Sequence, residues 1–249
     1  MPHFARLLLA AALAFARPAG AGEITLAVAA NFTAPMQAIA AEFARDTGHV
    51  ARPAFGATGT LYAQISRGAP FDLFLAADEE TPARLESESL AVAGSRFVYA
   101  TGRLVLWSPR PDGVDRDAQV LRTGAFAHLA VANPRTSPYG SAALAVLDQL
   151  GLKDALARRL VIGESIAQTY QFVASGNAAL GFVALSQVSK DGRLAAGSAW
   201  IVPAHLHRPL RQEAVLLLRG RDKPAARAFL DYLRGAKARA IIRAYGYES

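Results

Sequence analysis

The stretch from Ile24 to Gly48, ITLAVAANFTAPMQAIAAEFARDTG, decides the fold. Ile24 to Val28 is a short apolar run of the kind a strand buried on both faces shows. It breaks at the polar turn Ala30-Asn31-Phe32-Thr33, after which Met36, Ile39, Ala40 and Phe43 recur at helical spacing until Gly48 ends the pattern. The same unit returns along the chain. Phe71 to Leu75, Leu129 to Ala132, Leu160 to Ile162 and Leu180 to Val183 read as further buried strands. Ala143, Val146, Leu147 and Leu150 form a second helical stripe before Gly151, and Ile166, Tyr170, Val173 and Ala174 a third before Gly176. Strands alternating with helices predict an α/β protein whose mostly parallel sheets are flanked by helices.

Two apolar runs stand outside this rhythm, Leu104 to Trp107 and Ala214 to Leu218. They are expected to be crossings between two lobes. The first lobe then comprises residues 22–101 plus 207–249 and the second residues 102–206. The closing helix, with Phe229, Tyr232, Leu233 and Ala236 on one face, is expected to pack on the first lobe.

The N-terminus reads as a cleaved secretion signal over residues 1–21: Arg6 supplies the positive start, Leu7 to Phe15 the apolar run, and Ala19-Gly20-Ala21 the small-residue cleavage pattern. The run is too short to span a bilayer. The chain has no cysteine, so an exported form risks no mispairing and depends on its core rather than on disulfides. Formal charge is +7, lower once Arg6 and Arg17 leave with the signal. The basic residues are scattered among acids with no aromatic interleaving, which argues against a nucleic-acid partner.

The chemistry is expected where strands end. Four turns lead into helices: Ala30-Asn31-Phe32-Thr33, Gly56-Ala57-Thr58-Gly59-Thr60, Ser137-Pro138-Tyr139-Gly140 and Glu164-Ser165-Ile166. A helix start leaves backbone N–H groups without partners and carries roughly half a positive charge, so it holds an anion without any lysine or arginine. In open α/β sheets the ligand crevice lies beyond the carboxyl ends of the strands. Asn31 can add an amide donor and Thr58 a hydroxyl. The competing explanation is structural: Asn31, Thr58 and Ser165 can equally be ordinary helix caps.

Enzyme readings fit less well. Gly163-Glu164-Ser165-Ile166-Ala167 lacks the second glycine of a nucleophile elbow. Gly56-Ala57-Thr58-Gly59 is neither a phosphate loop nor a dinucleotide fingerprint. His205 and His207 could share one side of a strand but have no local third ligand. Asp78, Glu79 and Glu80 follow a strand end, where a solvated turn explains them as well as a catalytic pair does.

Several stretches together resemble a known family over nearly the whole chain. They are Ala29-Ala30-Asn31-Phe32, Gly56-Ala57-Thr58-Gly59, Tyr62-Ala63-Gln64-Ile65, Gly68 to Phe74, Ala77-Asp78-Glu79, Gly94-Ser95-Arg96-Phe97, Leu104 to Ser108, Pro138-Tyr139-Gly140, Gly181 to Leu185 and Ala244-Tyr245-Gly246-Tyr247. In order and spacing these are similar to the ModA family of periplasmic molybdate-binding proteins. The resemblance implies a two-lobed, type II periplasmic-binding-protein fold whose hinge is crossed by two strands. It implies a monomeric, non-enzymatic receptor that captures molybdate or tungstate and delivers it to the membrane subunits of an ABC importer. No cofactor and no bare metal cation are expected, because the protein donors meet the oxygens of the anion. Carried over by position, the pocket comprises Asn31, Thr58, Tyr139 and Ile166, with Ala30 and Ser165 as additional candidates. Asn31 stands where many relatives carry serine, and Ala184 where many carry a hydroxyl-donating tyrosine. The alternatives that the residues leave open are a receptor for sulfate, phosphate or an organic acid, and a secreted hydrolase using Ser165 or an Asp78 and Glu80 pair.

Overall fold

The computed structural model describes residues 21–248. The expected secretion signal, residues 1–21, lies outside the described residues except for Ala21.

The chain begins with β1 (Glu23–Ala29), passes through a short 3-10 turn at Ala30–Phe32 and enters α1 (Thr33–Thr47). Helix α1 buries Pro35, Met36, Ile39 and Phe43 and stops at Gly48, whose φ of 75° is the left-handed conformation a helix terminator needs. There follow β2 (Val50–Gly56), α2 (Thr58–Ser66), β3 (Leu73–Leu75), α3 (Glu80–Ser87) and β4 (Phe97–Gly102). The expected strand from Phe71 is shorter than the apolar run, because Asp72 turns inward just before it. The Asp72 carboxylate is fully buried and accepts hydrogen bonds from Thr25 N–H at 2.9 Å and Lys223 Nζ at 2.8 Å.

At Arg103 the chain leaves this sheet and starts a second one. That sheet's elements are β5 (Leu104–Ser108), α4 (Val120–Thr123), β6 (Leu129–Ala132), α5 (Pro138–Gln149), α6 (Lys153–Leu156), β7 (Leu160–Gly163), α7 (Ile166–Ala174), β8 (Leu180–Ala184) and α8 (Leu185–Val188). A small hairpin of β9 (Ser189–Lys190) and β10 (Arg193–Leu194) precedes β11 (Ser198–Ile201). The chain then returns through β12 (Leu210–Leu216) and ends in α9 (Pro224–Arg234) and α10 (Ala236–Ala244).

Each half is a five-stranded mixed sheet, ordered β2-β1-β3-β12-β4 and β11-β5-β8-β6-β7. In the first, β2, β1 and β3 run parallel while β12 is antiparallel to both β3 and β4. In the second, β7, β6 and β8 run parallel and β5 is antiparallel to β8 and β11. The parallel strands are the ones followed by helices, and the antiparallel ones flank the two crossings between sheets. Long apolar runs such as Leu104 to Trp107 therefore need no helix directly after them.

The closing segment differs from the single helix expected. It breaks at Gly235, whose extended backbone (φ −74°, ψ 163°) separates α9 from α10 and moves Ala236 to the start of the second helix. Phe229 and Tyr232 nevertheless pack edge-on against Phe43 of α1, with ring centroids 5.0 and 5.4 Å away, which holds the C-terminus on the first lobe. His205 lies in a 3-10 turn at Ala204–Leu206 rather than on a strand, so it and His207 do not share one side of a strand. No helix among the described residues is long and apolar enough to cross a membrane.

Candidate functional site

All four turns singled out in the sequence end a parallel strand and start a helix. The turn at Ala30–Phe32 follows β1, α2 follows β2, α5 follows β6 and α7 follows β7. Asn31, Thr58, Tyr139 and Ile166 are each no more than 3% exposed, although they sit at helix starts where side chains usually meet water. Both lobes contribute to that burial. Ala29, Ala30 and Ala77 of the first lobe belong to the same buried cluster as Tyr139, Ile166 and Ala184 of the second. Gly59 N–H donates to the Thr136 carbonyl across the gap at 2.8 Å, and Ser186 Oγ donates to the Asn31 carbonyl at 2.8 Å. The cleft is closed around the four helix starts.

The capping explanation holds for one residue and fails for two. Ser165 is a side-chain cap: its Oγ accepts from Gln168 N–H at 3.3 Å and its carbonyl accepts from Thr169 N–H. That leaves Ile166 and Ala167 to supply the first-turn donors of α7. The Ser165 hydroxyl is committed to the helix rather than poised beside a base. Thr58 and Asn31 cap nothing. Thr58 Oγ1 instead accepts from Ala77 N–H at 3.1 Å, tying the start of α2 to the end of the β3 segment. In α5, Pro138 has no N–H and Gly140 and Ser141 both donate to the Ser137 carbonyl, so Tyr139 supplies the first donor.

Asn31 is held by a network that sequence reasoning did not find. Its Nδ2 donates to Gln212 Oε1 and to Tyr247 Oη, each at 2.9 Å. Gln212, fully buried on β12, also accepts from Tyr99 Oη at 2.9 Å and donates from Nε2 to Tyr139 Oη at 3.2 Å. Tyr247 Oη and Ser186 Oγ lie 2.9 Å apart and both contact the Asn31 carbonyl. One polar chain thus runs from the first lobe, through Gln212 on β12, to Tyr139 in the second. Burial raises the Tyr99 and Tyr139 hydroxyls well above the ordinary phenol pKa, and pushes Tyr247 up to about 12 despite the lowering hydrogen bonds from Ser186 and Asn31. All three remain neutral donors and acceptors at physiological pH. Tyr247 belongs to the C-terminal stretch Ala244 to Tyr247 seen in the sequence, but nothing local announced its contact with Asn31. The same holds for Tyr99, Ser186 and Gln212.

Beside the buried turns, a cavity of about 670 Å³ opens between the lobes, bordered by Gly59, Ala77 and Asp78 on one side and Thr136, Ser137 and Pro138 on the other. Asp78 lines its rim. Burial raises its pKa while hydrogen bonds from Thr81 oppose the shift, and its carboxylate accepts from Thr81 N–H at 2.9 Å and Thr81 Oγ1 at 3.0 Å. From just before the Glu79 N-cap it holds the first turn of α3, and Glu80 is exposed. Ala184 is fully buried; its N–H donates to Gln187 Oε1 at 2.9 Å, while Gln187 Nε2 donates to the Ile166 carbonyl at 3.1 Å. The Gln187 amide thereby links the starts of α7 and α8 at a position without a side-chain donor of its own.

A family model described as bacterial extracellular solute-binding protein matches residues 24–248. The molybdate-binding protein ModA of Azotobacter vinelandii is 59% identical over 229 residues, covering 92% of this chain and 91% of that protein. ModA of Rhodobacter capsulatus is 49% identical over 240 residues, covering 96% and 93%. Among solved structures, an Azotobacter vinelandii periplasmic molybdate-binding protein superposes with a TM-score of 0.88 at 41% identity, covering 91% of this chain and 99% of that one.

Proposed function

This chain belongs to the bacterial extracellular solute-binding proteins, in their molybdate-binding ModA family, and on that premise we propose that it is the periplasmic receptor of an ABC importer for molybdate or tungstate. It is exported by its N-terminal signal and works as a monomer without turnover. Asn31, Thr58, Tyr139 and Ile166, with Ala30 beside Asn31, surround the oxyanion, and Ser165 shapes its site as the cap of α7.

The observation that carries this reading is the convergence of four helix starts, two from each lobe, whose buried residues Asn31, Thr58, Tyr139 and Ile166 carry no charge. Each contributes unpaired N–H groups and the positive end of a helix dipole, which together suit a dianion. Donors without acceptors favour the fully deprotonated ion, since a protonated oxygen would face them unpaired. Donors drawn from both lobes make closure part of binding. An open receptor offers half the shell, the anion draws the other half in, and the closed form is what the importer engages.

The test is a thermal-shift screen of molybdate, tungstate, sulfate and phosphate on protein stripped of ligand. At a thousandfold excess over Kd the cognate anion adds roughly 4 kcal/mol of stability. For a chain of this size that is about ten degrees. A response to sulfate or phosphate with none to molybdate or tungstate would falsify the proposal.

A further inference from the structure

The network around Asn31 contains an ambiguity that chemistry resolves. As arranged, both Asn31 amide protons are spent on Gln212 Oε1 and Tyr247 Oη, so the side chain has no donor left for an oxyanion. A carboxamide turned by 180° keeps its shape and exchanges donor for acceptor. If Asn31 and Gln212 turn together, Gln212 Nε2 donates to Asn31 Oδ1 and to Tyr99 Oη. The Tyr99 proton goes to the Ala76 carbonyl, already 3.1 Å away, and Tyr139 Oη donates to Gln212 Oε1. The Tyr247 proton then serves Asn31 Oδ1, and Ser186 keeps the Asn31 carbonyl. As many of these contacts carry a proton after the turn as before. The turned state differs in one respect: both Asn31 amide protons are released.

We propose that Gln212 is a positioning residue for ligand capture, turning in concert with Asn31 so that an oxyanion selects the state in which the Asn31 amide donates to it. This rests on the reading of Asn31 as a pocket residue. Turning Asn31 alone would set its Oδ1 against Gln212 Oε1, two acceptors 2.9 Å apart with no proton between them, so the two amides are obliged to move as one. Tyr139 is the third member. It is at once the first donor of α5 and the partner of Gln212, so the state of the pair is communicated to the second lobe. The Tyr139 hydroxyl also packs on Gly102, at the end of β4 where the chain crosses between lobes; any side chain there would collide with it. An anion therefore meets a bistable element whose two settings differ in donors offered, and closure fixes one of them.

The experiment is a double-mutant cycle on the full-length protein, with molybdate Kd measured calorimetrically for wild type, Asn31→Ala, Gln212→Met and the double variant. If Gln212 acts through Asn31, Gln212→Met weakens binding by about tenfold or more in the wild-type background and by less than about twofold when Asn31 is already alanine. Equal losses in both backgrounds, or no loss in either, overturn the assignment. Should Gln212→Met not fold, the wild type decides by NMR. The Asn31 side-chain NH2 pair, identified by its disappearance in Asn31→Ala, moves and exchanges more slowly with solvent as molybdate is added. A pair that does not move overturns the proposal. A wild type that binds neither molybdate nor tungstate sinks the receptor reading and this assignment with it, whereas binding with an additive cycle sinks the assignment alone.

Discussion

The backbone N–H of Gly59 donates to the carbonyl of Thr136 at 2.8 Å, one lobe to the other, and a Cβ on Gly59 would stand 3.0 Å from Thr136 Cα. The two main chains meet so closely only because residue 59 has no side chain. In Gly59→Val the branched side chain must push the lobes apart, and a receptor whose competent state is less populated binds more weakly in proportion. The expected result is a molybdate Kd raised by about tenfold or more. The ligand-free melting temperature should hardly change, because the contact joins lobes and does not fill a core. Small-angle scattering of the ligand-bound variant would show the wider cleft, and an unchanged Kd would rule out closure at this point.

Gly140, one residue after Tyr139, is a different case. A Cβ there would collide with the Ala132 carbonyl oxygen at the end of β6, within one lobe. Backbone cannot step aside as a flexible side chain can, so Gly140→Ala should cost about 3 kcal/mol. Its melting temperature falls by several degrees with or without ligand. A variant as stable as wild type would mean that the start of α5 can move away from β6 at little cost.

Why some of this was legible in the sequence and some was not follows from range. Ile24 to Gly48 contains a strand, a turn and a helix whose signals are all local, and the observed elements β1 and α1 follow them closely. The four helix starts could be found because each strand end and each helical stripe is written in consecutive residues. The spacing of Phe229, Tyr232, Leu233 and Ala236 misled, because a glycine between them carries no periodic signal and the chain bends there. Asp72 shortened its strand through partners at Thr25 and Lys223, which are distant in sequence. The network at Asn31 was illegible for the same reason: Gln212 and Tyr247 are 181 and 216 residues away. Gln212 stands between Arg211 and Glu213 on β12, so nothing local marked it as a buried group that demands partners.

Thr58→Asp separates charge from geometry. An aspartate oxygen can still accept from Ala77 N–H, as Thr58 Oγ1 does, so the link between α2 and the β3 segment survives. The added carboxylate faces a dianion inside a closed cleft, where water screens poorly. Molybdate and tungstate binding should fall below detection by calorimetry, while the circular dichroism spectrum and the ligand-free melting temperature stay near wild type. Retained affinity would place the anion elsewhere.

At alkaline pH the buried tyrosines couple ionisation to unfolding. Burial holds Tyr99 and Tyr139 well above the ordinary phenol pKa of 10.0 and pushes Tyr247 up to about 12. A folded-state pKa above the unfolded one means that the native state holds its proton more tightly. The resulting stabilisation is fully present below the unfolded value and is lost as pH rises through the folded values. Between about pH 6 and pH 9 these groups should leave both stability and anion affinity flat. Above that range their phenolate absorbance should appear together with the loss of folded circular dichroism, since ionisation and unfolding are linked. A difference titration against Tyr247→Phe isolates one group: its share of the absorbance change should coincide with the unfolding step. A Tyr247 phenolate formed well before unfolding would show that its hydroxyl is open to water, and would remove the basis for treating the Asn31 network as buried and neutral.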